Sequence, residues 1–246
     1  MIFNSGGVEV MQVKRLHRWT VSYSEARQLQ NSLADKVKQC SIDGPVELVA
    51  GLDCSFSKST GKVFAGAVVL RLADFTVIEN KTCVSRLHFP YIPGLLTFRE
   101  APAVLGAVRK LRSSPDVFIA DGQGIAHPRR LGLASHLGLF FDRPTIGCAK
   151  SRLTGSYSEP GRQKGRYSWL RDESFGREVI GAVVRTRDNV RPLFVSVGNK
   201  CTLPEAIELT LALTGRFRLP EPARLAHRLV SEFKKQYAQT GSPDES

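Results

Sequence analysis

Residues 46–87 read VELVAGLDCSFSKSTGKVFAGAVVLRLADFTVIENKTCVSRL and contain three apolar runs that are typical of β-strands. The runs cover residues 46–56, 63–72 and 76–87, are rich in valine, and are separated by short polar breaks. Because consecutive strands with short connections usually pair with each other, this segment predicts an antiparallel meander.

On both sides of the meander, the pattern alternates between helices and short strands. Apolar runs predict further strands at residues 117–120, 144–148, 179–186 and 192–197. Helical spacing of apolar residues predicts helices at residues 22–40, 99–111, 130–141, 203–213 and 220–235. Ser24 is the expected cap of the first helix, and residues 151–178 read as a polar, glycine-rich loop. Together these elements predict an α/β fold with a mixed β-sheet flanked by helices.

The composition fits a globular protein with a polyanionic partner. The chain has 246 residues, which suits one large domain or two small ones. Lys and Arg number 35 against 23 Asp and Glu, so the net charge is +12. Such an excess favours nucleic acid or an anionic membrane surface as the partner.

Several classes of protein are disfavoured by the sequence. No apolar run approaches the roughly 20 residues of a membrane span, and residues 1–11 lack the pattern of a signal peptide. The five cysteines are far apart and form no CxxC pair, which argues against a disulfide framework and a structural zinc site. We therefore expect a cytoplasmic protein with reduced thiols and no membrane association.

Asp53 and Asp121 are carboxylates at predicted core strands. Asp53 lies within the apolar run LVAGLDC at residues 48–54, and Asp121 follows the run VFIA and precedes Gly122-Gln123-Gly124. An aspartate in such a strand is costly unless it is paired or bound to a cation. Two of them are typical of a site that holds Mg²⁺ through oxygen ligands. From these residues alone, the capping of a turn by each aspartate is an equally good interpretation.

Glu100 is a third candidate ligand with a structural alternative. Thr97 and Glu100 have the spacing of a capping box at a helix N-terminus. With Thr97 as the N-cap, however, Pro102 would fall beyond the first turn and remove a hydrogen bond. A helix that begins near Arg99 suits the proline better and leaves the Glu100 side chain free.

Two basic side chains follow predicted strand ends. His127 lies on a loop six residues after Asp121, where it could act as a general base or contact a phosphate. Lys150 follows the next strand and could meet a phosphate or a leaving group, although an ordinary exposed lysine is the commoner case. His136, in an apolar helix, is expected in the core. No context supports a role for the remaining histidines, His17, His88 and His227.

Residues 143–171 predict a nucleic-acid surface. The segment contains one acidic residue, Glu159, and three interleaved aromatic residues, Tyr157, Tyr167 and Trp169. Its seven basic residues are Arg143, Lys150, Arg152, Arg162, Lys164, Arg166 and Arg171. Cations that neutralise phosphates, together with rings that stack on bases, are typical of nucleic-acid binding, whereas a solvated loop more often mixes both signs of charge.

Five motifs combine these residues with others along residues 20–230. They are Ala50-Gly51-Leu52-Asp53, PYIPGLLTFRE at residues 90–100, DGQGIAHPRRLGLASHLG at residues 121–138, PTIGCAK at residues 144–150 and RLPEP at residues 218–222. In kind and order they resemble the motifs of the endonuclease V family, whose members cut nucleic acid near inosine, the product of adenine deamination. The resemblance implies an RNase H-like fold, a mixed core sheet flanked by helices.

The resemblance also implies roles for individual residues. The carboxylates Asp53, Glu100 and Asp121 are expected to gather around Mg²⁺, with Mn²⁺ as a substitute, and His127 and Lys150 to lie beside the reacting phosphate. The loop formed by Pro90, Tyr91, Ile92 and Pro93 is expected to wedge into the nucleic acid, with the tyrosine at the gap. The pocket for the extruded base is expected to contain Gly94, Leu96, Gly122, Gly124, Leu133 and Leu153.

One segment departs from the family pattern. Many members have histidine in a Gly-His-Arg segment after the strand at 192–197, whereas this chain has Gly198-Asn199-Lys200. The amide oxygen of Asn199 could ligate a cation or hold a metal-bound water, but asparagine cannot act as a base. We therefore expect Asn199 at the metal site, and a histidine there to raise activity.

The resemblance predicts a metal-dependent deoxyribonuclease of DNA repair. Its expected substrate is DNA containing deoxyinosine, cut at the second phosphodiester bond 3′ to the lesion. Two alternatives stay open: a ribonuclease for inosine-containing RNA, and a weakly active inosine-binding module. We expect a monomer with one catalytic domain over residues 1–246, a core at about 20–235 and loose termini, including the tail from Gln236.

Overall fold

The computed structural model describes residues 11–175 and 177–240, and the described residues form one mixed sheet of eight strands with five α-helices. The strands are β1 Leu48–Ser57, β2 Lys62–Arg71, β3 Val77–Arg86, β4 Val117–Ala120, β5 Thr145–Ala149, β6 Tyr167–Asp172, β7 Glu178–Val184 and β8 Leu193–Asn199. The helices are α1 Tyr23–Ala34, α2 Leu96–Val108, α3 Leu133–Phe141, α4 Leu203–Ala212 and α5 Glu221–Thr240.

The strand order is β3-β2-β1-β4-β5-β8-β7-β6. β1, β2 and β3 form the expected antiparallel meander, while β4 and β5 run parallel to β1. The order β3-β2-β1-β4-β5, with two parallel strands added to a meander, is the core of an RNase H-like fold, as predicted. β8, β7 and β6 extend this core by antiparallel pairing.

Alternate residues of β1 face opposite helical layers, as the pleat of a strand requires. Ala50 and Leu52 belong to the apolar cluster that includes residues of α2 and α3. Val49 belongs to the opposite cluster, which includes residues of α4 and α5. Gly51 lies on this second face, where a Cβ atom would come within 2.0 Å of the Pro222 backbone. Asp53 therefore shares the face that α5 covers.

The helix starts differ from the predictions. Ser22 caps α1 in place of Ser24, because its side chain accepts a hydrogen bond from Glu25 and the Glu25 carboxylate bonds back to the Ser22 backbone. α2 begins at Leu96, three residues before the predicted start, and contains Pro102 in its interior. The argument for a free Glu100 side chain assumed a helix start near Arg99, and that start was wrong. Thr97 is nevertheless not the N-cap, because Leu95 occupies that position.

Both chain ends are more ordered than predicted within the described residues. Met11 is buried in the cluster that includes α2 and α3, and Trp19 stacks on Phe140 with ring centroids 5.1 Å apart. At the other end, α5 continues to Thr240, and Tyr237 packs on Phe64. The predicted core limits at about 20 and 235 were therefore too narrow. The predicted loose ends at residues 1–10 and 241–246 lie outside the described residues.

Within residues 11–175 and 177–240, no helix combines the length and apolar character that a membrane crossing needs. The five cysteines are unpaired, and Cys148 and Cys201 are buried.

Candidate active site

The register between β1 and β4 brings two aspartates together. Leu52 pairs with Ala120 in the parallel ladder, so the next residues, Asp53 within β1 and Asp121 just after β4, lie side by side. The Asp121 amide donates a hydrogen bond to the Leu52 carbonyl at 3.2 Å, which continues the ladder to that point. Both side chains line a cavity of about 230 Å³ at the carboxyl end of β4, which we call the acidic cavity.

Glu100 reaches the same cavity from α2. Cys54, whose side chain points to the α2 face of β1, lines the cavity beside it. The three carboxylates that the sequence predicted to gather therefore do so, from two strands and one helix.

Two basic side chains complete the lining of the acidic cavity. Lys150, just after β5, forms an ion pair with Asp121. His227, on α5, has its Nδ1 atom 2.8 Å from an Asp53 carboxylate oxygen. The prediction missed His227, although a usable signal was present: it follows the RLPEP motif by five residues, on the polar side of an amphipathic helix.

The acidic cavity concentrates negative charge in a partly dry environment. Burial, and the nearby charge of Asp121, raise the pKa of Asp53. Burial also raises the pKa of Glu100 to about 8. Three carboxylates this close together are stabilised by a cation, and oxygen ligands suit Mg²⁺ or Mn²⁺.

The side chains would need small movements to surround an ion. Within the described ranges, no three His, Cys, Asp or Glu side chains stand close enough to form a ready metal site. Asp53 and Asp121 instead have oxygens engaged by His227 and Lys150. The donor set fits a divalent cation in chemistry and charge, and these two contacts are the ones that would have to loosen.

A second cavity, of about 350 Å³, adjoins the acidic cavity, and we call it the base-sized cavity. Asp121, Lys150, Leu96 and Leu133 line both. This volume lies in the range of pockets that hold small ligands. Five of the six predicted base-pocket residues line it: Gly94, Leu96, Gly122, Leu133 and Leu153.

Gly124, the sixth predicted pocket residue, does not line this cavity. Its backbone packs against β8, where a Cβ atom would lie 2.0 Å from the Val197 carbonyl oxygen. Its amide donates to the Ser196 hydroxyl at 2.8 Å. Glycine is required here by close packing of the loop on the sheet, and the structure does not place Gly124 on the wall of this cavity.

The predicted wedge forms one rim of the base-sized cavity. Tyr91 is 66% exposed, which makes it the most exposed of the large apolar side chains in the described ranges. Ile92 turns inward and packs against the cluster of Phe89, Leu95 and Phe98. The loop therefore has a buried anchor beneath a projecting aromatic ring.

Three donors converge on the carbonyl oxygen of Gly94, at the end of the wedge loop. They are Gln30 Nε2 at 2.9 Å, His127 Nε2 at 2.9 Å and Arg129 Nη2 at 2.7 Å. Gln30 also bonds the Leu131 carbonyl and accepts from Arg129 Nε at 2.6 Å. Gly94 itself has a φ of +77°, which favours glycine. These contacts fix the wedge loop to α1 and to the loop after β4.

The structure does not support a general base at His127. Its Nδ1 atom accepts a hydrogen bond from the Arg129 amide, so Nε2 carries the proton and donates to Gly94. Burial lowers the pKa of His127 to about 4. With a neutral ring and both nitrogens engaged, His127 shapes the wall of the base-sized cavity.

Asn199 lies far from the acidic cavity, and the prediction of a metal ligand there was wrong. It pairs with Thr145 at the start of β5, whereas Lys150 follows the opposite end of that strand, roughly 16 Å away in extended chain. Asn199 is 2% exposed, accepts from the Lys38 amide and donates to the Gly138 carbonyl. A histidine at this position could not reach the carboxylates.

Comparison with known proteins agrees with this geometry. Residues 30–228 match the family model of endonuclease V. An endonuclease V from Dehalococcoides mccartyi is 46% identical over 91% of this chain and 99% of its own length.

Solved structures give the same result. A crystal structure of endonuclease V from Streptomyces avermitilis has a TM-score of 0.85 and 39% identity, covering 92% of this chain and 99% of its own. Ciona intestinalis endonuclease V, solved with DNA containing an inosine, has a TM-score of 0.75 and 27% identity, covering 87% of this chain and 98% of its own. The chain belongs to the endonuclease V family.

Proposed function

We propose that the protein is a metal-dependent endonuclease that recognises inosine in DNA and hydrolyses the second phosphodiester bond 3′ to it, in DNA repair. The observation that carries this proposal is the contact between two cavities, one lined by three carboxylates and one of a size to hold a base, which share Asp121 and Lys150. Family membership and the inosine-containing DNA bound by the Ciona enzyme support the same substrate.

Asp53, Glu100 and Asp121 are the residues that would hold Mg²⁺, with Mn²⁺ as a substitute. A divalent ion supplies charge neutralisation and an activated water for phosphodiester hydrolysis. The chain contributes the position of the carboxylates, since two come from adjacent parallel strands and the third from α2. His227 holds one oxygen of Asp53 and thereby orients the carboxylate.

Lys150 is the cation closest to the proposed reaction centre. Its ammonium group pairs with Asp121, and its side chain is 43% exposed, so a phosphate can approach it from solvent. An ammonium group beside a reacting phosphate stabilises the charge that develops in the transition state.

The wedge loop and the base-sized cavity suit an extruded base. Inosine pairs weakly, so it leaves the stack at a lower cost than a normal base. Tyr91 projects where it can stack in the resulting gap. Hypoxanthine lacks the 2-amino group of guanine, and Gly94, Gly122 and Leu133 are the wall residues that would exclude that group.

We also propose that the chain acts as one catalytic unit, as a monomer and in the cytoplasm. The motifs on α2, after the strands and on α5 converge on one site, and a nuclease that nicks one strand needs no two-fold symmetry. Five unpaired cysteines favour a reducing compartment. The alternative of a weakly active inosine-binding module rested on Asn199 in place of the family histidine. Because Asn199 is remote from the carboxylates, this alternative loses its main argument.

Cleavage of labelled single-inosine strands tests the proposal, with a DNA and an RNA version each incubated with Mg²⁺, with Mn²⁺ and with EDTA. We expect a metal-dependent nick one nucleotide beyond the deoxyinosine. Asp53→Ala should lower the rate on the order of a thousandfold, because a ligand to the proposed ion is lost.

Asp43→Ala is the matched control, since Asp43 is exposed on a loop before β1. It should cut at the wild-type rate. Faster cutting of the RNA strand would reassign the substrate, and tight inosine binding without a cut in either metal would overturn the nuclease.

A further inference from the structure

Outside the two cavities, an exposed strip of rings and arginines lies on the edge strand β6. Tyr167 and Trp169 point to the same side of β6, with ring centroids 5.1 Å apart in an edge-to-face contact. They are 46% and 38% exposed. Trp169 and Arg171 also line a cavity of about 520 Å³ together with Tyr157 and Arg177. We call Tyr157, Tyr167, Trp169, Arg171 and Arg177 the β6 strip. The sequence analysis predicted a loop at residues 151–178 and did not anticipate strand β6.

The β6 strip is continuous with the base-sized cavity through Arg152. Arg152 lines that cavity, and its guanidinium lies 5.8 Å from the centre of the Tyr157 ring. Tyr157 is held in turn by an edge-to-face contact with Phe194 at 5.4 Å. A path of cations and rings therefore leads from the base-sized cavity to Trp169.

The charge of the β6 strip suits a polyanion. Arg130 engages Asp172 and Glu178, and Arg185 engages Glu159, which neutralises three acidic residues of this edge. Glu173 lines the cavity as well, but Arg171 and Arg177 outweigh it. Positive charge beside exposed rings is the usual platform for unpaired bases.

The backbone edge of β6 is covered in part, at Arg171. Ser156 exchanges two backbone hydrogen bonds with Arg171, at 2.8 and 2.9 Å, and the Ser168 hydroxyl donates to the Ser158 carbonyl. A protein strand could therefore pair with only part of this edge, whereas the ring faces of Tyr167 and Trp169 stay open. This contrast favours nucleic acid over a protein partner.

We propose that a single-stranded flank of the substrate, continuous with the strand that enters the base-sized cavity, stacks on the β6 strip. This inference rests on the proposed function for the identity of that strand. It implies that the protein favours inosine in single-stranded or locally unpaired nucleic acid over inosine in a continuous duplex.

Intrinsic fluorescence tests the proposal directly, because the chain has two tryptophans and Trp19 is stacked on Phe140 away from the β6 strip. The probes are oligothymidylates with one deoxyinosine, in a short and a long version, and the long version paired to its complement. All titrations contain EDTA to prevent cutting. We expect the long single strand to quench the emission strongly, and the short strand and the duplex to quench it weakly.

Three variants separate stacking from other causes. Trp169→Phe should lose the quenching and keep most of the affinity, since phenylalanine still stacks. Trp169→Ala should weaken binding of the long single strand by about tenfold or more. Ile78→Ala, a 41% exposed apolar side chain on the opposite edge strand β3, should bind like the wild type.

Two results would overturn the proposal: wild-type affinity of Trp169→Ala for the long single strand, or equal quenching by the duplex. The second result would assign the β6 strip to double-stranded nucleic acid. A failure of the proposed function can be told apart from these results. In that case the wild type would cut no inosine-containing strand, while single strands would still quench its tryptophan emission.

Discussion

His227 is separated from Asp53 by 174 residues in the sequence, and the two side chains meet only because α5 lies across β1. Its side chain is more than half exposed, so removing it costs little packing. We expect His227→Ala to lower kcat by about 10–100-fold with little change in stability, because Asp53 loses the partner that orients it. Steady-state cleavage of a single-inosine strand and a thermal melt measure the two effects.

A histidine without such a partner provides the control for that variant. His88 is exposed on the loop before the wedge, and His88→Ala should keep the wild-type kcat. If His227→Ala also cuts within about twofold of the wild type, the contact with Asp53 has no part in turnover.

Gln30 is buried and holds the Gly94 and Leu131 carbonyls and the Arg129 guanidinium together. We expect Gln30→Ala to cost about 1–3 kcal/mol of unfolding free energy, because buried polar groups lose their partner. The wedge loop should also loosen, which lowers kcat/KM for inosine relative to guanine in the same strand. Denaturant unfolding and competitive cleavage measure these effects.

Gln28 lies on the exposed side of α1, so Gln28→Ala is the matched control and should match the wild type in both assays. A Gln30→Ala protein that loses stability but keeps full discrimination would limit Gln30 to a structural role. The KM, more than the kcat, should carry the change if Gln30 positions the wedge loop.

The carboxylates and Lys150 were predicted from the sequence, whereas Gln30 and His227 were missed. Asp53 and Asp121 each interrupt an apolar run, and an interrupted run is visible locally. Gln30 and His227 lie on amphipathic helices where a polar side chain is ordinary, and their partners are 64 and 174 residues away. Asn199 shows the opposite error. Its position in a family motif was interpreted as a metal ligand, whereas its side-chain amide joins β8 to neighbouring segments.

At the scale of elements, the placement of α5 on β1 depends on a glycine. A Cβ atom at Gly51 would lie 2.0 Å from both the carbonyl carbon and the oxygen of Pro222. We expect Gly51→Ala to push the start of α5 away, at a cost of about 1–3 kcal/mol or more. Cleavage should fall as well, because His227 moves with α5. A thermal melt and a cleavage assay on the same preparation measure both.

Gly66→Ala on β2 is the comparison for this variant, since its Cβ would meet only the side chains of Leu229 and Val230, at 2.9 Å and beyond. Those side chains can shift, so the stability loss should be smaller and the cleavage rate nearly unchanged. Equal rates for wild type and Gly51→Ala would show that α5 does not set the position of His227.

Prediction of the elements succeeded where the apolar pattern was strong. β4 was predicted at its observed residues, because four consecutive apolar residues lie between a proline and a glycine. β6 was missed, because an edge strand with exposed rings and arginines has no continuous apolar run. The start of α2 was misplaced because helix packing tolerates Pro102 in the interior, against the usual cost of such a proline.

At the scale of the whole molecule, charge is distributed unevenly. The net charge is +12, yet three carboxylates are concentrated at one edge of the sheet, where burial raises the pKa of two of them. Carboxylates elsewhere behave in the opposite way: hydrogen bonds from Lys200 and Lys14 lower the pKa of Asp142, and a hydrogen bond from Arg130 lowers that of Asp172. A cationic molecule that concentrates carboxylates at one point is suited to attract both a polyanion and a metal ion.

This distribution, with the buried histidines, predicts acid unfolding in two stages. Burial lowers the pKa of His17, His127 and His136, so below about pH 6.5 the unfolded chain binds protons that the folded protein does not, and stability falls as pH falls. Below about pH 4 the protonation of Asp142 and Asp172 removes further stability. Glu100 acts in the opposite direction over this range, because its raised pKa of about 8 makes the folded protein hold a proton that the unfolded chain releases. Because three histidines oppose this one carboxyl, we expect the melting temperature in EDTA to drop from pH 7.5 to 5, and His136→Gln to reduce that drop whereas His88→Gln keeps it. An identical slope in His136→Gln would show that the buried imidazole does not set the first stage.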